Sequence, residues 1–148
     1  MSEKKDRNLL HQPNCIHFNL RKAMRAVSQH YDKILQPTGL RGTQFSILSA
    51  ISILGQVSIT DLAERMVMDR TTLTRNLKPL ELETFISISP GEDRRIKVVK
   101  LTAQGRSILK KAMPYWKEAQ AGMLQHLGEK RANGLLDDLN EAATIDRS

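Results

Sequence analysis

Residues 69–102 read DRTTLTRNLKPLELETFISISPGEDRRIKVVKLT, and this stretch decides the fold. Asp69 is a good helix N-cap, and the periodicity predicts a helix over Arg70–Leu82. At about 100° per residue, Leu73, Leu77 and Leu80 share one face, so Thr71, Arg75 and Lys78 point away from it, with Thr72 and Thr74 on the flanks. Pro79 removes the hydrogen bond to the Arg75 carbonyl, so a bend is expected in the last turn. The pattern then changes period. Phe85-Ile-Ser-Ile-Ser alternates as a strand, Ile96–Leu101 can pair with it, and Pro90-Gly91-Glu92-Asp93 supplies the turn. The result is a β-hairpin carrying Arg94, Arg95, Lys97 and Lys100.

Upstream, Ser58-Ile-Thr-Asp61 reads as the capped start of a short helix, with Leu62, Ala63 and Met66 on its buried side and a tight connection at Val67-Met68. Thr43–Leu54 predicts a helix apolar over more than half its circumference, ended by Gly55. Ile16, Leu20, Met24, Val27, Tyr31 and Ile34 form one helical stripe that stops near Gln36, before Pro37 and Gly39. Downstream, Thr102 caps a long helix to about Leu127, with a kink expected at Pro114. Gly128 breaks it, and a last helix runs to about Ala143. Two short helices followed by a hairpin make a winged helix-turn-helix pattern. The expected fold is mainly α with a small β-hairpin wing, in one domain over residues 1–148. Residues 38–101 form the winged-helix lobe, and 14–37 with 102–145 form a helical dimerisation region.

An exposed face of hydroxyls and guanidinium suits a major-groove reader. Arg pairs with guanine O6 and N7, and Thr offers a hydroxyl or meets a thymine methyl. The candidate DNA-contacting residues are Arg70, Thr71, Thr72, Thr74, Arg75 and Lys78 on the helix, with Asp93, Arg94, Arg95 and Lys97 on the hairpin. Asp93 would repel phosphate, so its natural task is to brace a neighbouring Arg.

Composition agrees. Among 148 residues, 23 Lys+Arg against 16 Asp+Glu give a net charge of +7, which suits a polyanionic partner. Residues 1–41 carry eight Lys/Arg against three Asp/Glu, whereas 117–148 carry four against six, so the C-terminal segment is not the nucleic-acid surface. Aromatics are 4%, so the core must be aliphatic. Cys15, the single cysteine, excludes an intramolecular disulfide. The first 15 residues lack a signal-peptide core, and the uncharged run Gly42–Thr60 is interrupted by Ser and Gln, so a cytoplasmic protein without a membrane span is expected. No phosphate loop, metal cluster or triad pattern is present, and Cys15 and His17 at i, i+2 do not face each other on a helix. An enzyme is therefore not expected, and no cofactor is implied.

Asp93-Arg94-Arg95, then Leu101-Thr102 and Gly105, resembles the wing signature of the MarR family of regulators. Asp69–Leu77 resembles its recognition helix, and Gly39-Leu40-Arg41 with Thr43-Gln44-Phe45 resembles the entry to its second helix. The likeness covers about residues 16–143. It implies a homodimer with intertwined terminal helices on double-stranded DNA, reading an inverted-repeat operator. It implies that Arg95 enters the minor groove while Asp93 orients it. It further implies a repressor, commonly released by a small aromatic ligand or by thiol oxidation. Many members carry Gly where this chain has Thr84, so a different helix-to-wing junction is expected here, because Gly accepts a left-handed backbone and Thr does so poorly.

Two triggers are readable. A ligand pocket between the dimerisation helices and the DNA lobe would draw on His17, Arg21, Phe45 and Trp116. The alternative is a redox switch at Cys15, near a helix N-terminus that can lower a thiol pKa. Aligning Tyr31 with the helix-1 Tyr of the family's peroxide-sensing branch puts the reactive position near His17, and the partner Tyr position near Gly42, so the activating geometry is not expected.

Overall fold

The computed structural model describes residues 14–147. Helix α1 (Ile16–Leu35) is followed by a single 3-10 turn over Gln36–Thr38, then α2 (Gly42–Leu54), β1 (Val57–Ser58), α3 (Ile59–Arg65) and α4 (Arg70–Leu82). Strands β2 (Ile86–Pro90) and β3 (Lys97–Leu101) make the hairpin, and α5 (Ala103–Leu127) and α6 (Glu129–Ala142) complete the chain. The mainly helical winged helix-turn-helix expected from sequence is the observed architecture.

The caps behave as their chemistry dictates. Ser58 Oγ accepts from Asp61 N–H at 3.0 Å, Asp69 Oδ1 from Thr72 N–H at 2.7 Å, and Thr102 Oγ1 from Gly105 N–H at 3.0 Å. Each satisfies a first-turn N–H that has no partner within its own helix. Pro79 and Pro114 both sit inside continuous helices.

One element is absent from the sequence reading. The sheet has three strands in the order β1-β3-β2, all antiparallel. In β1, Val57 pairs with Val99 and Ser58 with Val98; on the other side of β3, Ile86 pairs with Leu101 and Ile88 with Val99. Two residues are too few to show an alternating pattern, so β1 is a strand only because β3 lies beside it.

The core is aliphatic, as the composition requires. Ile47, Leu48, Leu62, Leu73, Leu77 and Leu80 are among its most buried members, and Phe45 is the buried aromatic. They join the second, third and fourth helices to the sheet, so the outward face of α4 is set by its leucine stripe. Helix α5 packs on α1 and on α6. His30 Nε2 lies 2.9 Å from Ala119 O, and Tyr31 O–H donates to Gln120 at 2.5 Å, tying α1 to α5. Burial raises the Tyr31 pKa.

Candidate nucleic-acid interface

The interface begins at the turn between α3 and α4. Val67 takes a left-handed φ of 53°. Met68 N–H reaches Ala63 O at 2.9 Å and Val67 N–H reaches Glu64 O at 3.1 Å, the two bonds of a Schellman motif. This stops α3 abruptly and lets Asp69 start α4 two residues later. The same motif recurs at the far end of α4. Phe85 N–H bonds Leu80 O and Thr84 N–H bonds Glu81 O, both at 2.9 Å, with Thr84 at φ 60°.

The junction at Thr84 therefore corrects the expectation that a Thr there would change it. Thr84 adopts the left-handed backbone, and its surroundings hold it. Its hydroxyl donates to Glu83 O and lies against the side-chain amide of Gln104, while its carbonyl accepts from Thr102 O–H at 2.5 Å. These contacts offset the steric cost that glycine would have avoided.

With both ends set, α4 presents Arg70, Thr71, Thr74, Arg75 and Lys78 to solvent, and Thr72 is half-buried. The hairpin packs alongside. A groove of about 480 Å³ runs between them, and Arg70, Thr74, Lys78, Arg94 and Lys97 all line it. Five of the sequence-predicted residues, from two distant segments, thus share one basic concavity. Glu81 lines it too. Glu81 is not among the residues expected from sequence; its position one helical turn after Lys78 is the signal that places it on the same face.

At the hairpin tip, Asp93 holds Arg95 with three contacts. Arg95 Nε donates to Oδ1 at 3.1 Å, Nη2 to Oδ2 at 2.9 Å, and the backbone N–H to Oδ1 at 3.1 Å. The Arg95 side chain is 90% exposed, so a fork-to-fork pair is displayed to solvent. The side-chain bond from Arg95, then its backbone bond, holds the Asp93 carboxyl below the ordinary carboxylate range, and the same pairing raises Arg95.

The other candidates lie elsewhere. Phe45 and Trp116 stack with ring centroids 6.1 Å apart and planes 16° from parallel. They line a cleft of about 370 Å³ with Tyr31, Gly42 and Ser46. His17 and Arg21 are exposed on the first turns of α1 and do not line that cleft within one chain. Cys15 is a half-buried free thiol at the N-cap of α1, where its sulfur accepts from Phe18 N–H at 3.4 Å. Among the described residues, no group of three or more His, Cys, Asp or Glu could hold a metal, and no helix is long and apolar enough to cross a membrane.

Similarity to known proteins bears on this geometry. The model of the MarR family matches residues 40–97, which hold α2, the helix-turn-helix and the wing tip. The M. tuberculosis transcriptional regulator MosR, in a crystal structure with DNA, is 38% identical with a TM-score of 0.79, over 90% of this chain and 99% of that one. YwoH of Bacillus subtilis (strain 168), an uncharacterized HTH-type transcriptional regulator, is 28% identical over 99 residues, 67% of each protein. A mutant of E. coli MarR in complex with operator DNA shares the fold, with a TM-score of 0.76 and 20% identity over 83% of this chain and 89% of that one.

Proposed function

This chain belongs to the MarR family of DNA-binding transcriptional regulators, and from that premise we propose that it acts as a homodimer on an inverted-repeat operator in duplex DNA. Each subunit lays α4 in the major groove and sets the wing against the adjacent minor groove. The observation that carries this reading is the basic groove joining α4 to the hairpin, with Arg95 held out beyond it by Asp93. Arg75 and the threonines of α4 read bases, Arg70, Lys78, Arg94 and Lys97 meet phosphates, and Arg95 enters the minor groove, where a narrow A·T tract concentrates negative potential.

Support for the dimer comes from the terminal helices. Residues 14–37 and 102–145 serve as the dimerisation region, and 38–101 as the DNA lobe. Ile16, Leu20 and Met24 on α1, and Leu135, Leu136 and Leu139 on α6, are at least 39% exposed in one chain. A second copy can bury these apolar side chains, and a two-fold axis would pair the two lobes with the halves of a palindrome.

In this reading the chain represses a promoter and is released by a small aromatic ligand. The cleft at Phe45 and Trp116 favours that trigger, because it lies between the terminal helices and the DNA lobe and is lined by stacked rings and Tyr31. Operator selection from random duplexes, followed by anisotropy titration at several salt concentrations, tests the whole proposal. A palindromic motif with a steep salt dependence is expected. Equal affinity for all duplexes would refute it.

A further inference from the structure

The hydroxyl of Thr72 has its proton committed. Asp69 Oδ2 lies 2.7 Å from Thr72 Oγ1, while Asp69 Oδ1 takes the Thr72 N–H, also at 2.7 Å. An ionised carboxylate has no proton to give, so the hydroxyl must be the donor in this contact. The Asp69 carboxyl is held below the ordinary carboxylate range, chiefly by the Thr72 backbone bond and then by its hydroxyl, so it is ionised at neutral pH. With its proton spent, Thr72 Oγ1 turns only lone pairs outward, and the Asp69 oxygens beside it are acceptors too. Thr71 and Thr74 are exposed on the same helix. Among the described residues no hydrogen bond engages their hydroxyls, so these, unlike Thr72, keep a proton to donate.

Thr72 is the third residue of α4, in the first turn, the part of a recognition helix that meets base edges. In the major groove the exocyclic amines of adenine and cytosine donate, while guanine O6 and thymine O4 accept. We propose that Asp69 sets Thr72 as an acceptor-only reader, so that the base facing it on one strand must be an amino base (adenine or cytosine) rather than a keto base (guanine or thymine). This rests on the DNA-binding reading above. Asp69 is then a positioning residue, acting on the operator through the polarity of a neighbouring hydroxyl.

The test is operator selection with the full-length wild-type protein, Thr72→Val and Asp69→Asn. The wild-type motif should contain one symmetric pair of positions where amino bases are preferred by roughly 3- to 10-fold, the range one neutral hydrogen bond supports. Thr72→Val keeps the side-chain shape without the lone pairs and should level that pair alone. Asn remains a good N-cap, but its amide N–H can donate to Thr72 Oγ1 and turn the hydroxyl proton outward. Asp69→Asn should therefore level the preference or reverse it toward keto bases. A chemical probe checks the contact directly. Replacing the selected adenine by purine, or cytosine by pyrimidin-2-one, removes the amine. That should weaken the wild type, with no further loss in Thr72→Val. A keto preference at the position levelled by Thr72→Val would overturn the inference, as would a motif blind to Thr72→Val or unchanged in Asp69→Asn. A wild-type protein that enriches no motif at all would overturn the DNA-binding reading itself.

Discussion

Arg95 and Asp93 are two residues apart on an exposed turn, and their consequence for binding depends on what the carboxylate does. Bare electrostatics says that Asp93→Asn, by removing a negative charge near a polyanion, should tighten DNA binding. The three contacts from Asp93 predict the reverse, because a released guanidinium must lose rotamer freedom on entering the groove. Arg95→Ala should weaken binding and reduce the salt slope by about one unit. The double variant should fall well short of the sum of the singles, since both act on one contact. Anisotropy titrations of the singles and the double at two salt concentrations distinguish the two accounts, and tighter binding by Asp93→Asn would remove the bracing role. The depressed Asp93 carboxyl gives this pair a defined pH window. Its contribution is present above the ordinary carboxylate pKa and fades only as pH falls through the lower folded value, so assays at neutral or mildly acidic pH see it intact. Arg75 is exposed on the outward face of α4. Arg75→Ala should cost about 1–3 kcal/mol of discrimination at particular operator positions, read as flattened columns in the selected motif.

At the scale of elements, the start of α5 depends on a close approach. A Cβ on Gly105 would lie 1.9 Å from the Phe85 carbonyl oxygen, a backbone atom that cannot rotate away. That carbonyl also accepts from Thr102 N–H at 3.1 Å, so the first turn of α5 is seated on the entry to β2. Gly105→Ala should destabilise the fold by about 1–3 kcal/mol or more through overpacking, measured by urea denaturation. The glycine three residues after Thr102 is thus a packing requirement, which gives the wing signature a physical reason. The two left-handed residues that bracket α4 behave differently from each other. Val67 is β-branched and 52% exposed, and no side-chain hydrogen bond is available to it. Val67→Gly should stabilise by up to about 1 kcal/mol, since the steric cost of a left-handed backbone exceeds the extra entropy of glycine. Thr84→Gly should leave the melting temperature nearly unchanged, because the relief is offset by the loss of the hydroxyl contact to Gln104. Thermal melts of the two variants side by side test this difference, and a matching gain in both would show that the Thr84 contacts contribute nothing.

For the whole molecule, the proposed dimer decides whether two recognition helices can act together. The apolar side chains left open on α1 and α6 would be costly to keep in water. A joint interface of more than about 2,000 Å² is typical of obligate dimers. Sedimentation at micromolar concentration should show a dimer, and a monomer would refute the proposal. Paired substitutions Leu136→Glu and Leu139→Glu should shift the equilibrium toward monomer. They should also lower affinity for a palindrome far more than for a single half-site, because the link between the two lobes is lost.

The order of elements and most of their ends were legible in the chain, because they rest on local interactions. The leucine stripe of α4, the caps at Ser58, Asp69 and Thr102, and the breaks at Gly55 and Gly128 each act within one or two turns. The contact of Asp93 with Arg95 belongs here too, since a single residue separates them. What only the tertiary structure decided involves partners far apart in sequence. Val57 and Ser58 become a strand through pairing with Val99 and Val98. Thr84 keeps a left-handed backbone that its own side chain disfavours, because Thr102 and Gln104 arrive from the start of α5 to hold it. Phe45 and Trp116 meet across α2 and α5, while His17 and Arg21 stay apart from them on α1. Glu81 enters the basic groove only when the hairpin folds back beside α4. Periodicity and capping say which face of a helix is buried, but not which distant segment covers or borders it. That choice is made by packing the whole core at once.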